Sequence, residues 1–330
     1  MDTSTSYLGL RLPHPFIAGA SPMGHRLDSV KRLEDTGWAA IVLHSLFEEQ
    51  ITDATDGRIR HMDPSDRGFA RELAYFPGAA DYPLRPDEYA EHLSLVKRAV
   101  AIPVIGSLNG TSPESWLKFG RIIEQAGADA LELNLYEVVT SFAVPAAAVE
   151  KKLAGIVNEL KQILTIPIAV KVSPFFTAFG NVARQLEAAG ADGLVLFNRF
   201  YQPDIDTKTM APVVNVALSD SSELRLRLQW LAILHGRVRP SLAVSGGVAT
   251  PDDGIKAILA GADAVQIVSA LLRHGPTHLY AMRAGLERWM AWHHVEWLEE
   301  VRGRASLERV ADAETFERAQ YIRTLQSWLA

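Results

Sequence analysis

One joint, repeated four times, constrains this chain more than any other feature. A helical stretch closes on Gly, and within a few residues a short apolar run begins. Gly37 follows Leu33 to Thr36 and leads into Trp38 to Leu43. Gly127 leads into Ala128 to Asn134, Gly190 into Ala191 to Asn198, and Gly261 into Ala262 to Val268. Gly closes a helix readily because it enters the left-handed region without a Cβ penalty. An apolar run directly after such a cap reads as a buried strand. Four copies predict that strands and helices alternate along the whole chain.

Extending the pattern gives eight candidate strands: 15–21, 39–45, 102–109, 130–135, 166–172, 193–198, 241–246 and 264–269. Most are near-continuous apolar runs, as parallel strands covered on both faces require. Eight strands separated by helices predict a (β/α)8 TIM barrel, and 330 residues hold one such domain with inserted loops, since the bare barrel needs about 250. The insertions fall after strand two (Leu46 to Arg85), after strand six (Phe200 to about Ser222) and, shorter, after strand four (Tyr136 to Ala146). All three belong to the face where barrel enzymes keep their chemistry. The chain thus reads as one domain, 1–330. A helical tail is expected from about residue 300, its apolar period carried by Leu307, Val310, Phe316, Ala319, Ile322 and Leu325.

Composition narrows the chemistry. The net charge is −6, and there is no basic block. Phosphate backbones and anionic membranes need clustered Lys and Arg, so neither nucleic acid nor membrane is expected as partner. There is no cysteine, which excludes disulfides, thiolate metal sites, a cysteine nucleophile and a protein-ligated iron–sulfur cluster. Any iron–sulfur relay would reside on a separate electron-transfer subunit. His293 and His294 sit in a Trp-rich amphipathic stretch without a carboxylate partner, so no metal site is expected there. Met1 to Leu12 lacks a signal-peptide pattern and no apolar run is long enough to span a bilayer. These readings predict a cytoplasmic protein.

Polar residues close several apolar strands: Asn109 strand three, Asn134 strand four, Lys171 strand five and Asn198 strand six. Four polar groups converging on one barrel mouth point to a small-molecule site. A Lys among them offers positive charge to a developing anion. Strands seven and eight end in Ser245-Gly246-Gly247 and Val268-Ser269. In this position, turns that expose backbone N–H groups suggest a phosphorylated ligand.

These residues together resemble the dihydroorotate dehydrogenase superfamily, specifically class 1-like FMN enzymes, the related pyrimidine-reducing flavoprotein domain and a dihydroorotate-dehydrogenase-like bacterial branch. The resemblance rests on His14-Pro15-Phe16, Ala20-Ser21-Pro22, Ser45 to Gln50, Ser107-Leu108-Asn109, Glu132-Leu133-Asn134, Val170 to Pro174, Tyr201 to Asp206 and Gln266 to Leu271. It implies an FMN-dependent oxidoreductase in which hydride passes to flavin N5. Ala20, Ser21 and Ser45 would then border the cofactor. Asn109 and Asn134 would contact it or the substrate, and Lys171 would face its N1 edge. Gly246, Gly247, Val268 and Ser269 would cradle the phosphate, and Asn198 would hold the substrate. The resembled class is homodimeric.

Departures from the family pattern cluster at substrate-recognising positions. The loop that carries the family's base reads Asn134-Leu135-Tyr136-Glu137-Val138-Val139, which puts Glu137 at the base position, with Tyr136, Thr140 and Ser141 as further candidates. Strand two ends in Leu43-His44-Ser45 where the family has Thr-Lys-Ser, so His44 is expected to donate to the flavin or shuttle protons. Leu73 to Gly78 replaces the family's substrate segment. Dihydroorotate oxidation is the family-implied reaction. Three rivals stay open: another dihydropyrimidine or enoyl-type substrate, a flavin-free sugar-phosphate isomerase or lyase using Lys171 and Glu137, and a non-catalytic redox subunit.

Overall fold

The computed structural model describes residues 1–47, 86–110, 113–135, 137–198, 204–213 and 217–311. Twelve strands occur among them: β1 (Thr5–Tyr7), β2 (Leu10–Leu12), β3 (Phe16–Ala18), β4 (Ile41–Phe47), β5 (Val104–Asn109), β6 (Ala130–Leu135), β7 (Ile168–Val172), β8 (Gly193–Leu196), β9 (Asp204–Asp206), β10 (Ala211–Val213), β11 (Ser241–Ser245) and β12 (Ala264–Ile267). Eight parallel strands close on themselves in the order β11-β12-β3-β4-β5-β6-β7-β8. This is the expected (β/α)8 barrel, and each barrel strand lies within or across its predicted segment. The helices around it are α1 (Leu27–Asp35), α2 (Pro86–Ala99), α3 (Pro113–Gln125), α4 (Ala146–Ile163), α5 (Phe179–Ala188), α6 (Leu224–Leu234), α7 (Pro251–Ala260), α8 (Ser269–His274) and α9 (His278–Trp292).

The repeated joint has a structural reason at both of its ends. Gly37, Gly127, Gly190 and Gly261 all have positive φ, between 90° and 118°. In the last three copies Gly-Ala-Asp continues the motif, and the Asp carboxylate accepts a backbone N–H at the start of the preceding barrel strand. Val104 donates to Asp129 at 2.6 Å, Ile168 to Asp192 at 2.7 Å and Leu242 to Asp263 at 2.7 Å. A cation seals each carboxylate: Lys97, Lys161 and Arg302 respectively. His14 performs a related task at the first joint. Its Nε2 reaches the Gly37 carbonyl at 2.8 Å, while Nδ1 accepts the Phe16 N–H at 3.3 Å. One nitrogen donates and the other accepts, so the bonding requires the neutral ring. Burial agrees, lowering the His14 pKa to about 4.

Inside the barrel, side chains form layers. The lowest barrel layer takes one small or branched residue from each strand: Ile17, Val42, Ile105, Ala130, Ala169, Val195, Ala243 and Ala264. Four of these are Ala, which leaves room for a plug from beneath. The β1–β2 hairpin supplies it, driving Tyr7, Leu8 and Leu12 into the same cluster. Thr5 Oγ1 donates to the Asp263 carbonyl and the Leu8 N–H to Ser241 Oγ, fixing the hairpin to the barrel floor.

Two loop expectations meet the structure only in part. The insertion after β8 contains a small antiparallel hairpin, β9–β10. The other long insertion, after β4, lies largely outside the described residues, as do Tyr136 and Tyr201 to Pro203. The start of the tail is not helical: residues 301–311 form turns, and the Gly303, Ala305 and Leu307 N–H groups bond to Ile258, Leu259 and Ala232. Residues 312–330 lie outside the described residues.

Candidate active site

Above the aliphatic layer, strand alternation turns polar side chains inward. On β6 the inward face runs Ala130, Glu132, Asn134; on β7 it runs Ala169, Lys171; on β12 it runs Ala264, Gln266. These groups bond to one another. Lys171 Nζ donates to Glu132 Oε1 at 3.2 Å and to Gln266 Oε1 at 3.4 Å, and Gln266 Nε2 donates to the other Glu132 oxygen at 2.5 Å. Glu132 and Gln266 are fully buried and Lys171 nearly so. A cation and an anion can share such a place only because each is paired and hydrogen-bonded.

A second cluster adjoins the first. Asn134 Nδ2 donates to Ser107 Oγ at 2.8 Å and to Ser45 Oγ at 3.0 Å, and the two hydroxyls are 2.8 Å apart. Ser45 reaches this position through an irregularity. Val42 pairs with Ile105 but Ser45 pairs with Ser107, so β4 carries one residue more than β5 over this stretch. Such a bulge re-aims the side chains around it. It brings Ser45 to the interior and removes His44 from it. The His44 ring stacks on His25 at 3.6 Å between centroids and meets Tyr89 edge-on at 5.1 Å and His92 at 5.9 Å. Burial, followed by the His25 and His92 charges, lowers the His44 pKa to about 2. Burial therefore favours the neutral ring.

Glu137 also lies apart from the polar layer. Its carboxylate accepts from Lys152 Nζ of α4 at 2.8 Å, at an exposed position. It borders a cavity of about 150 Å³ lined by Gly110, Trp116 and Leu153 and another of about 400 Å³ lined by Ser141, Ser173 and Phe176; neither is lined by Asn134 or Lys171.

The ends of β11 and β12 form the third part of the site. Gly246 and Gly247 have φ of 83° and 78°. A Cβ on Gly247 would stand 2.6 Å from the Leu224 backbone nitrogen, so this turn admits only Gly. The Gly247 N–H donates to Ser219 Oγ at 3.3 Å, and Ser219 donates to Ser269 Oγ from its hydroxyl at 2.8 Å and from its backbone N–H at 3.0 Å. Arg273 holds the Leu218 and Ser219 carbonyls, both at 2.8 Å. Beneath the turn, the buried Arg227 guanidinium donates to the Ser245 carbonyl at 2.5 Å. Hydroxyls, a backbone N–H and two guanidiniums thus gather around this turn, bonded to one another and to backbone carbonyls. Ser21 is buried, Ala20 is half-buried against the interior cluster, and Val268 packs on the core. Asn109 and Asn198 are half-buried at the ends of their strands, the Asn198 N–H bonded to the Val172 carbonyl.

A family model described as dihydroorotate dehydrogenase matches residues 85–290. The chain belongs to that family. Among its relatives is the NAD-dependent dihydropyrimidine dehydrogenase subunit PreA of Escherichia coli K12, 26% identical, with 97% of this chain covering 80% of that protein. The catalytic subunit of dihydroorotate dehydrogenase B (NAD(+)) from Thermoplasma acidophilum is 28% identical, over 83% of this chain and 89% of its own. The chloroplastic dihydropyrimidine dehydrogenase (NADP(+)) of Arabidopsis thaliana is 26% identical, over 92% and 76%. No helix among the described residues is long and apolar enough to cross a membrane.

Glu132, Ser107, Gln266, Ser219 and Arg273 were not singled out as site residues from the sequence. Glu132 and Gln266 carried a readable signal, because a charge or an amide within an otherwise apolar buried strand needs a partner. Ser219 and Arg273 carried none, because their pairing depends on how the segment after β10 folds back over β12.

Proposed function

We propose that the protein is an FMN-dependent oxidoreductase acting on the C–C bond of a dihydropyrimidine-type ring, with dihydroorotate to orotate as the first reaction to try. The observation that carries this reading is the joining of three features on one barrel mouth: a buried Lys171, an Asn134–Ser45–Ser107 cluster and a glycine turn with converging donors. A flavin mononucleotide has three parts of matching chemistry, an electron-accepting edge, a ring system with amide-like groups and a phosphate. The residues fit it. Gly246, Gly247, Ser219 and Ser269 would hold the phosphate. Lys171 would face the edge that gains negative charge on reduction, and Asn134 with Ser45 would bond the ring or the substrate.

When bound, FMN supplies a two-electron acceptor whose N5 takes hydride. The chain's own residues supply orientation, a fixed positive charge and a barrel interior closed to water from below. Relatives named for dihydroorotate and for dihydropyrimidines support a reduced pyrimidine ring as substrate class. An electron-transfer subunit is proposed as partner, since a chain without cysteine cannot ligate a cluster by thiolates, and one relative is named as a subunit.

The test is an absorbance spectrum of the purified protein, followed by anaerobic addition of dihydroorotate and then of dihydrouracil. Flavin absorbance that bleaches with either substrate supports the reading and chooses between them. Flavin that bleaches with neither removes the dihydropyrimidine class. A protein that stays colourless after incubation with FMN removes the cofactor and brings forward the sugar-phosphate barrel.

A further inference from the structure

We infer that Glu132, with Gln266, is the positioning group of Lys171 and the counter-charge that sets how strongly the mouth favours an anion. This rests on the reading above, that FMN is the group facing Lys171. The geometry is a closed triangle. Lys171 Nζ reaches Glu132 and Gln266 at 3.2 and 3.4 Å, and Gln266 reaches back to Glu132 at 2.5 Å. Each member comes from a different strand, β7, β6 and β12, so the triangle ties together elements that lie on opposite sides of the barrel. A lysine stem has four rotatable bonds, and two fixed acceptors from different strands remove most of its freedom. An ammonium has three donors; two are used below, which leaves one for the mouth.

Charge completes the argument. Glu132 is wholly buried, and among the described residues Lys171 is the cation in an ion pair with it. Lys171 therefore meets the site as half of a neutral pair rather than as a full positive charge. Coulomb attraction to an anion forming at the mouth is then offset by repulsion from a carboxylate 3.2 Å from the ammonium, and the balance depends on both groups. Among the described residues the Glu132 carboxylate accepts from Lys171 and Gln266, so its effect on the mouth runs through Lys171.

The test is the midpoint potential of bound FMN by anaerobic titration, with the FMN dissociation constant measured alongside. Glu132→Gln keeps the shape and removes the charge. It is expected to favour reduced over oxidised FMN by about tenfold, a rise of about 30 mV for two electrons. Lys171→Met is expected to lower the potential by a similar amount. The Lys171→Met/Glu132→Gln double variant replaces one neutral pair by another and is expected to return close to the wild-type value. A Glu132→Gln potential equal to wild type, or a double variant that stays with Lys171→Met, overturns the inference, since a purely structural Glu132 would move stability and leave the potential alone. Should Glu132→Gln fail to fold, Gln266→Met removes one strut without changing charge. It is expected to weaken FMN binding about fivefold, and unchanged binding overturns the positioning role. Wild-type protein that takes up no FMN overturns the functional reading together with this inference. Bound FMN with insensitive potentials overturns this inference alone.

Discussion

Two Lys–Glu ion pairs stand near the ends of neighbouring strands, and they have little in common beyond their residue types. Lys152 and Glu137 approach to 2.8 Å with side chains 44% and 41% exposed. Lys171 and Glu132 are further apart, at 3.2 Å, with side chains 7% and 0% exposed. Distance alone would favour the first pair. Burial reverses the order, because water screens the exposed pair far more than the nearly buried one. The same contrast separates the two candidate carboxylates. Glu137, which the resemblance sets at the base position, pairs with Lys152 of the helix ring. Glu132 is not at that position, yet it underlies the lysine of the mouth.

Removing one partner from each pair is the sharpest way to break this contrast. Lys171→Met leaves Glu132 buried without its cation and is expected to cost about 3–5 kcal/mol in urea unfolding. The Lys171→Met/Glu132→Gln double variant should recover most of that loss. A single variant as stable as wild type would show that water reaches Glu132. Gly247→Ala tests the opposite rim. A Cβ there meets the Leu224 backbone and forces a non-Gly residue to positive φ, so about 3 kcal/mol of stability and at least a tenfold loss of FMN affinity are expected. Retained affinity, read from quenching of flavin fluorescence, would move the phosphate elsewhere.

His44 gives a pH-dependent intermediate case. Its folded pKa, about 2, lies below the ordinary value of an unfolded His, so the folded state holds fewer protons. Its contribution to stability is fully present above about pH 6.5 and is lost as pH falls below that. His14, lowered to about 4, acts in the same direction. Replacing His44 by Phe removes one of these groups. At pH 5 the variant should be more stable than wild type by about 2 kcal/mol, with little difference at pH 8. Equal pH profiles in urea titrations would mean that burial does not hold the His44 ring neutral. The smallest effect is expected for Glu137→Gln: less than about 0.5 kcal/mol and no more than a twofold change in flavin reduction rate. A large drop in that rate would return Glu137 to the base position.

The barrel was legible because its signals are local. A helix cap, an apolar run and the distance between them sit within about a dozen residues, and the chain repeats them. Asn134, Lys171, Gly246 and Gly247 were legible for a related reason, as polar or glycine residues closing apolar strands. His44 was misleading because a strand's alternation tells which way a side chain points only while the register holds. One extra residue in β4 exchanges the sides of His44 and Ser45, and that bulge is a property of the β4–β5 pair rather than of either strand. Glu137 was misleading because alignment with a family position does not fix orientation, and Lys152 lies fifteen residues away on another element. Likewise, the β1–β2 plug had no signature beyond a short apolar alternation, since what it fills is the space left by four alanines on four other strands.

The plug has a consequence in time. Tyr7, Leu8 and Leu12 precede every barrel strand in the chain, yet the floor that receives them includes Ala243 and Ala264, and Thr5 bonds to a carbonyl 258 positions later. Contacts of such separation form slowly, because the loop entropy must be met before they reward it. The hairpin therefore waits, with a tyrosine and two leucines uncovered, until the last barrel strand arrives. The element that comes before the barrel in the chain is thus the one that closes it last.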